Sequence, residues 1–413
     1  MRNVLGAVCV SCGAEHEAGD DTYTCEKCGG VLEIVYDYQY IKTRITREKL
    51  AANKDHSLWR YRDFLPIAAE AKLSPLRVGW SPLYRADKLG EALGLKNLYI
   101  KDDGLNPTSS LKDRASAVAV VRAVHAGKDT VACSSTGNAA SSLAGNAAAG
   151  GLRSFIFVPD RAPAGKLIQL LIFGAIVVRV KGDYGDAFRL SAQAIEKYGW
   201  YNRNAAINPY LSEGKKTVSF EIAEQLDFKV PDYLAVSVGD GCTIAGIWKG
   251  FKDLYAIGLI DRLPRLISVQ AEGCCPINRA LANGLPLAPM EEHTMADSIA
   301  VGVPRNGEKA IRAIRESGGI AVNVSDEEIM EAMRLLGSLA GVFGEPAGAA
   351  ATAGLKKAVG QGLTPGDALA VSVVTGNGLK DTAGAQRAAG AALHIPPDLG
   401  LLIGEFRRLG IRP

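Results

Sequence analysis

From about residue 98 onward, short β-branched runs alternate with longer Ala-rich segments, and this alternation constrains the fold more than any other feature of the chain. The runs are Leu98–Lys101, Thr130–Cys133, Ser154–Val158, Ile176–Val180, Leu234–Val238, Leu266–Gln270 and Leu369–Val374. Between them lie helix-like stretches at Arg114–Ala126, Asn138–Ala149, Tyr184–Lys197, Glu213–Leu226 and Asp326–Ala340. Ser325 and Glu328 are spaced as a capping box for the last of these. Short apolar strands separated by helices predict parallel sheet covered by helices, an α/β architecture. Ligands of such sheets bind beyond the carboxyl ends of the strands. The segments that follow the runs are therefore the places to look for chemistry. Ser134–Asn138, Gly239–Thr243 and Thr375–Gly378 are rich in Gly, Ser, Thr and Asn, and Ala271–Gly273 follows a fourth run.

A chain of 413 residues suggests two or three domains. With 47% hydrophobic and 22% charged residues it can bury a large core. A net charge of +3 gives no reason to expect nucleic acid or a membrane surface as partner. No apolar run is long enough for a transmembrane helix, and Met1–Cys12 does not read as a cleavable signal, so the cytoplasm is the expected location. In a reducing compartment, Cys9, Cys12, Cys25 and Cys28 read as metal ligands rather than disulfide partners. Two C-x2-C pairs twelve residues apart suit a tetrahedral zinc ribbon, with a relic ribbon as the alternative. Four thiolates leave no open coordination position, so any such zinc is structural.

The stretch Asn106-Pro107-Thr108-Ser109-Ser110-Leu111-Lys112-Asp113-Arg114 places a lysine at a loop-to-helix junction. A lysine in a first helical turn is ordinarily a surface residue. Beside the positive end of a helix, though, its neutral and nucleophilic form is favoured. Ser134-Ser135-Thr136-Gly137-Asn138 follows a strand and opens an Ala-rich helix. Hydroxyls and free N–H groups there make an anion site, and the same small residues suit a helix packed closely on its sheet. Gly239-Asp240-Gly241-Cys242-Thr243 is a Gly-rich turn into a helix, able to cradle phosphate through backbone N–H groups.

These segments and Thr375-Gly376-Asn377-Gly378-Leu379-Lys380-Asp381 occur in an order that resembles the threonine-synthase-like family of fold-type II pyridoxal-phosphate enzymes. Glu345-Pro346-Ala347-Gly348-Ala349-Ala350 is also similar to a recurrent segment of that family; read alone, it is a helix start with Pro in the first turn. The resemblance implies two parallel-sheet, three-layer α/β/α domains behind a zinc-ribbon-like module. The expected boundaries are 1–36 for the module, 37–115 with 216–413 for the large cofactor-binding domain, and 116–215 for a small domain. It implies pyridoxal phosphate held by Lys112, with Asn138 on its 3-hydroxyl. Its phosphate would lie on Gly239, Asp240, Gly241, Cys242 and Thr243, the Asp240 side chain turned away. Ser134, Ser135, Thr136, Gly137 and Asn138 would hold the substrate carboxylate. Thr375 would meet the pyridine nitrogen, and a hydroxyl there leaves the ring a weaker electron sink, suited to elimination or replacement. The expected assembly is a homodimer.

The activity this implies is threonine synthase, converting O-phospho-L-homoserine and water to L-threonine and phosphate. Lys166 keeps the family's lysine for the substrate phosphate, but Ala205, Ala206 and Leu211 stand where the family usually carries Asn, Ser and Arg. Lys215, Lys216 and Arg203 are nearby cations that could substitute. Ala296-Asp297-Ser298-Ile299-Ala300-Val301 is similar to a run of serine and threonine dehydratases. The alternatives are accordingly β-elimination of that type, or β-replacement on an activated serine. A non-enzymatic binding module, with Lys112 silent, is the reading outside the enzyme class.

Overall fold

The structure, a computed structural model, describes residues 1–162, 164–205 and 207–411. Strands β1 (Val4–Cys9), β2 (Glu15–His16) and β3 (Leu32–Tyr36) form an antiparallel ribbon in the order β2-β1-β3. Next in the chain come β4 (Leu83–Arg85) and β5 (Asn97–Asp102), then β6 (Thr130–Ser134), β7 (Arg153–Pro159), β8 (Ile176–Val180) and β9 (Tyr201–Asn202). The last strands are β10 (Tyr233–Ser237), β11 (Arg265–Ala271), β12 (Ile320–Val324) and β13 (Leu369–Val374). They build a six-stranded sheet, β12-β11-β10-β13-β5-β4, and a four-stranded sheet, β8-β7-β6-β9. All pairings in these two sheets are parallel except β4 with β5.

Parallel strands covered on both faces carry near-continuous apolar sequence. Tyr-Leu-Ala-Val-Ser of β10 is buried throughout, as is β6. The capping box is present: Ser325 accepts from the Glu328 N–H, and the Glu328 carboxylate accepts from the Ser325 N–H. Two expected helices differ. Glu213–Leu226 is interrupted at Lys216, giving helices Tyr210–Lys215 and Thr217–Gln225. Asp326–Ala340 is α-helical only to Leu335 and then widens into a π turn, Leu336–Ala340.

A fully buried ionic cluster ties these layers together. Arg114 donates to Asp103 at 2.7 Å and to Glu221 at 2.5 and 2.8 Å, and Lys101 donates to Glu221 at 2.7 Å. Lys101 belongs to β5, Glu221 to helix Thr217–Gln225, and Arg114 to the helix that begins at Lys112. The ribbon docks on helices Tyr210–Lys215 and Cys242–Ala256. Lys249 Nζ donates to the Ile34 carbonyl at 2.6 Å, and the Tyr36 hydroxyl donates to Glu213 at 2.8 Å.

Candidate active site

The carboxyl ends of β6, β10 and β13 open on one cavity of about 460 Å³, lined among others by Lys112, Ser134, Asn138, Gly239–Thr243 and Thr375. Lys112 is the first residue of helix Lys112–His125. The loop before it is stitched to the segment after β13. The Leu111 N–H donates to the Thr375 carbonyl at 2.8 Å, the Asn377 N–H donates to the Ser109 carbonyl at 3.1 Å, and Ser110 bridges Gly376. These bonds hold Ser109 at a φ of 67°, a left-handed conformation that costs about 1–2 kcal/mol for a residue with a Cβ. Lys112 itself makes no hydrogen bond or ion pair among the described residues. Burial, with the neighbouring Lys215 ammonium, pushes its pKa down to about 8, so far more neutral amine is present near neutral pH than for an ordinary lysine.

Opposite Lys112, Gly239–Thr243 leads into helix Cys242–Ala256. Among the described residues, the backbone N–H groups of Gly239 to Ile244 donate to no protein acceptor. Such a run of open donors at a helix start fits a phosphate. A side chain at Gly241 would put a Cβ 2.6 Å from the Asn306 carbonyl oxygen, and its φ of 91° is itself unfavourable for other residues. The Asp240 carboxylate is occupied elsewhere, accepting from the Arg305 N–H at 2.9 Å and from Asn306 Nδ2 at 3.2 Å. Burial pushes the Cys242 thiol up to about 11, which keeps it neutral beside the anion site.

The third wall is Ser134–Asn138. The Ser134 N–H donates to Asn204 Oδ1 at 2.8 Å, and Gly137 N–H donates to Ser135 Oγ at 3.2 Å. The N–H groups of Thr136, Asn138 and Ala139 are open at the start of helix Asn138–Gly150. Ser134, Ser135 and Asn138 face the larger cavity. Thr136 and Gly137 face an adjoining one of about 410 Å³, and Asn138, Ser298, Glu345 and Ala347 line both. Asn138 Nδ2 donates to Glu345 Oε1 at 2.7 Å, and burial pushes the Glu345 carboxyl up to about 7.

Comparison with known proteins agrees with this geometry. Residues 75–376 match the family described as pyridoxal-phosphate dependent enzyme. The chain is 42% identical to the threonine synthase of Methanocaldococcus jannaschii, over 95% of this chain and 97% of that protein. It is 43% identical to the threonine synthase of Methanosarcina acetivorans, over 90% and 91%. This chain belongs to the threonine-synthase-like family of pyridoxal-phosphate dependent enzymes. Its fold is that of threonine deaminase isoform 2 from Solanum lycopersicum, with a TM-score of 0.62 at 22% identity, covering 75% of this chain and 87% of that one. Maize serine racemase shares it too, with a TM-score of 0.62 at 20% identity over 80% and 92%.

As a pyridoxal-phosphate dependent enzyme, the protein has residues that fit the cofactor: among the described residues, an amine without a partner at Lys112, an open run of N–H donors at Gly239–Ile244 and a Thr375 hydroxyl without a partner, all lining one cavity. Gly241→Ala should therefore weaken uptake of pyridoxal phosphate by the apoenzyme about tenfold, since a strained backbone costs about 1–3 kcal/mol. An unchanged spectroscopic titration would mean that this turn does not carry the phosphate.

The structure separates the other candidates. Lys216 is unavailable, its ammonium held by Glu213 at 2.7 Å and Asp253 at 2.6 Å. Lys215 and Arg203 line the cavity. Leu211 is buried in the core of the small sheet, and Ala205 borders the cavity. Ala206 and the Lys166 side chain lie outside the described residues. Glu345 was legible in the sequence as a helix start before Pro346 and as part of a segment similar to one of the family, with no role for its carboxyl. Its carboxyl turns back over Gly376, where a Cβ would come within 2.4 Å of Oε1. The four sulfurs of Cys9, Cys12, Cys25 and Cys28 lie within 4.8 Å of one another.

Proposed function

We propose that the protein is a threonine synthase, releasing phosphate from O-phospho-L-homoserine and adding water to give L-threonine. The observation that carries this reading is the convergence of Lys112, the open N–H cradle and the carboxylate loop on one cavity that also holds unpaired cations. Full-length similarity to proteins named threonine synthase supports it. Bound pyridoxal phosphate supplies the electron sink for breaking bonds at the amino-acid α-carbon. Lys112 Nζ, held without a partner and easily deprotonated, takes and returns protons at the substrate carbons. Ser135, Asn138 and the start of helix Asn138–Gly150 orient the carboxylate. Glu345, buried against Asn138, offers a carboxyl able to exchange a proton near pH 7.

The turn Asp297–Ile299 borders both cavities, which keeps a dehydratase-type β-elimination as the second reading. The experiment is a product assay on the holoenzyme. Threonine and phosphate from phosphohomoserine support the synthase. Ammonia and a 2-oxo acid from threonine or serine, without phosphate release from phosphohomoserine, overturn it.

We also infer a structural zinc on Cys9, Cys12, Cys25 and Cys28 and residence in a reducing compartment, the cytoplasm; the eight unpaired thiols support both. Purified protein should carry about one zinc per chain. Chelation should lower thermal stability, because the ribbon docks through Ile34 and Tyr36 on buried Lys249 and Glu213. Metal analysis that finds no zinc in a well-ordered, fully reduced ribbon would make it a relic.

A further inference from the structure

We propose that Arg203 and Lys215 grip the distal phosphate of the substrate and so set the preference for a phosphorylated amino acid. The proposal rests on the threonine synthase reading and adds the residues responsible for that specificity.

Both side chains line the 460 Å³ cavity although the residues are almost fully buried, Arg203 at 1% exposure and Lys215 at 3%. Arg203 is fixed from behind: its Nε donates to Ser116 Oγ at 3.1 Å, and Ser116 Oγ lies 2.7 Å from Ser142 Oγ. Its Nη2 is buried and has no partner among the described residues. Lys215 makes no hydrogen bond or ion pair among the described residues. Its chain neighbours belong to a different environment. Glu213 and Lys216 are enclosed with Lys249, Asp253 and Tyr36, so Lys215 is not a spare member of that cluster. An unpaired buried charge is costly, and clefts where such groups collect are functional sites.

The class of ligand follows from counting what the other walls supply. The cofactor phosphate has a run of neutral backbone donors, and the substrate carboxylate has a hydroxyl-rich helix start. Those donors are neutral, so the positive charge of the cavity comes from its side chains. Arg203 and Lys215 are the buried cations of this cavity besides Lys112, while Arg305 is exposed and stacked on Phe188, and a phosphate monoester carries close to two negative charges at neutral pH. The guanidinium offers a planar fork and the ammonium a mobile point charge, a pair suited to a tetrahedral dianion. Ala205, small and beside Arg203, leaves room for that group. When the carbon–oxygen bond breaks, its electron pair leaves with the phosphate, and the same two cations face that developing charge.

The test uses holoenzyme carrying Lys215→Met, Lys215→Arg or Arg203→Lys. Binding of O-phosphohomoserine, homoserine and inorganic phosphate is measured for each, alongside cofactor affinity. Lys215→Met should weaken phosphohomoserine and phosphate by roughly ten- to hundredfold, the worth of one charge-assisted hydrogen bond. Homoserine and cofactor affinity should change less than about threefold on the same scale. Lys215→Arg should recover most of the loss. Inorganic phosphate should raise the melting temperature of the wild type but not of Lys215→Met, which itself should melt no lower than wild type because an unpaired charge has gone. Arg203→Lys should lose affinity for phosphohomoserine selectively, through loss of the fork. Equal losses for phosphohomoserine and homoserine overturn the proposal, as does a loss confined to the cofactor. If the wild type makes threonine and these variants keep full phosphate affinity, the inference fails and the function stands. If the wild type makes no threonine, the function reading fails, and phosphate protection lost in Lys215→Met then still assigns the anion subsite.

Discussion

Lys112→Ala should reduce turnover roughly ten-thousand-fold, at the upper end of what positioned proton transfer contributes, while leaving the fold intact. Survival of the fold follows from the surroundings of the side chain. The Lys112 side chain makes no hydrogen bond or ion pair among the described residues, and its charge is disfavoured by burial, so no polar contact of the fold is lost with it. Lys112→Arg separates charge from reactivity. It keeps a cation at the same place but cannot deprotonate, so it should be as inactive as the alanine variant. Because the neutral amine is the reactive form, uptake of pyridoxal phosphate by the apoenzyme should accelerate as pH rises through about 8, the value to which burial and Lys215 bring this lysine. Turnover by Lys112→Arg close to that of wild type would remove Lys112 from the chemistry.

Read alone, Lys112 is an ordinary first-turn lysine, and its cofactor role is what the family resemblance implies; the loops around it were legible for a physical reason. Buried parallel strands have to be continuous apolar runs, so their ends can be seen, and the residues after those ends lie at the ligand-binding edge of the sheet. The loops at Ser134–Asn138, Gly239–Thr243 and Thr375–Gly378 announce themselves by composition for the same reason. β12 escaped this reading because it is an edge strand. Its Ile-Ala-Val-Asn-Val is only partly buried, and Asn323 interrupts the run. The roles of the cations were not legible either. Lys215 and Lys216 are adjacent in sequence, but successive helical residues point about 100° apart. One reaches the cavity while the other is sealed against Glu213 and Asp253. Glu345 was hidden differently: its carboxyl reaches Asn138 across 207 residues of sequence, a contact that no local pattern announces.

The second large effect concerns what holds Lys112 in place. Glu221→Gln should destabilise the protein by about 3–5 kcal/mol, the usual cost of removing one partner from a buried ion cluster. Glu221 sits between Arg114 and Lys101, all three with fully buried side chains, and the amide can satisfy their hydrogen bonds only in part and their charge not at all. Burial alone would raise the Glu221 carboxyl. Arg114 and Lys101 more than reverse this and hold it well below the usual carboxylate range. The pH dependence has a definite sign. A carboxyl with a depressed value in the fold stabilises it above its ordinary value of 4.5, and that contribution fades as pH falls from there toward the depressed value. Wild type should therefore lose stability in this acid window more steeply than Glu221→Gln, and the two denaturation curves should draw together as pH falls. Activity should suffer as well, because Arg114 lies two residues beyond Lys112 and anchors the first turn of its helix to Asp103 and Glu221. Chemical denaturation of both proteins between neutral pH and about pH 3 measures this directly, in a range set by ordinary carboxylate titration. Equal midpoints at neutral pH, or parallel curves through the acid range, would show that the cluster does not stabilise the site.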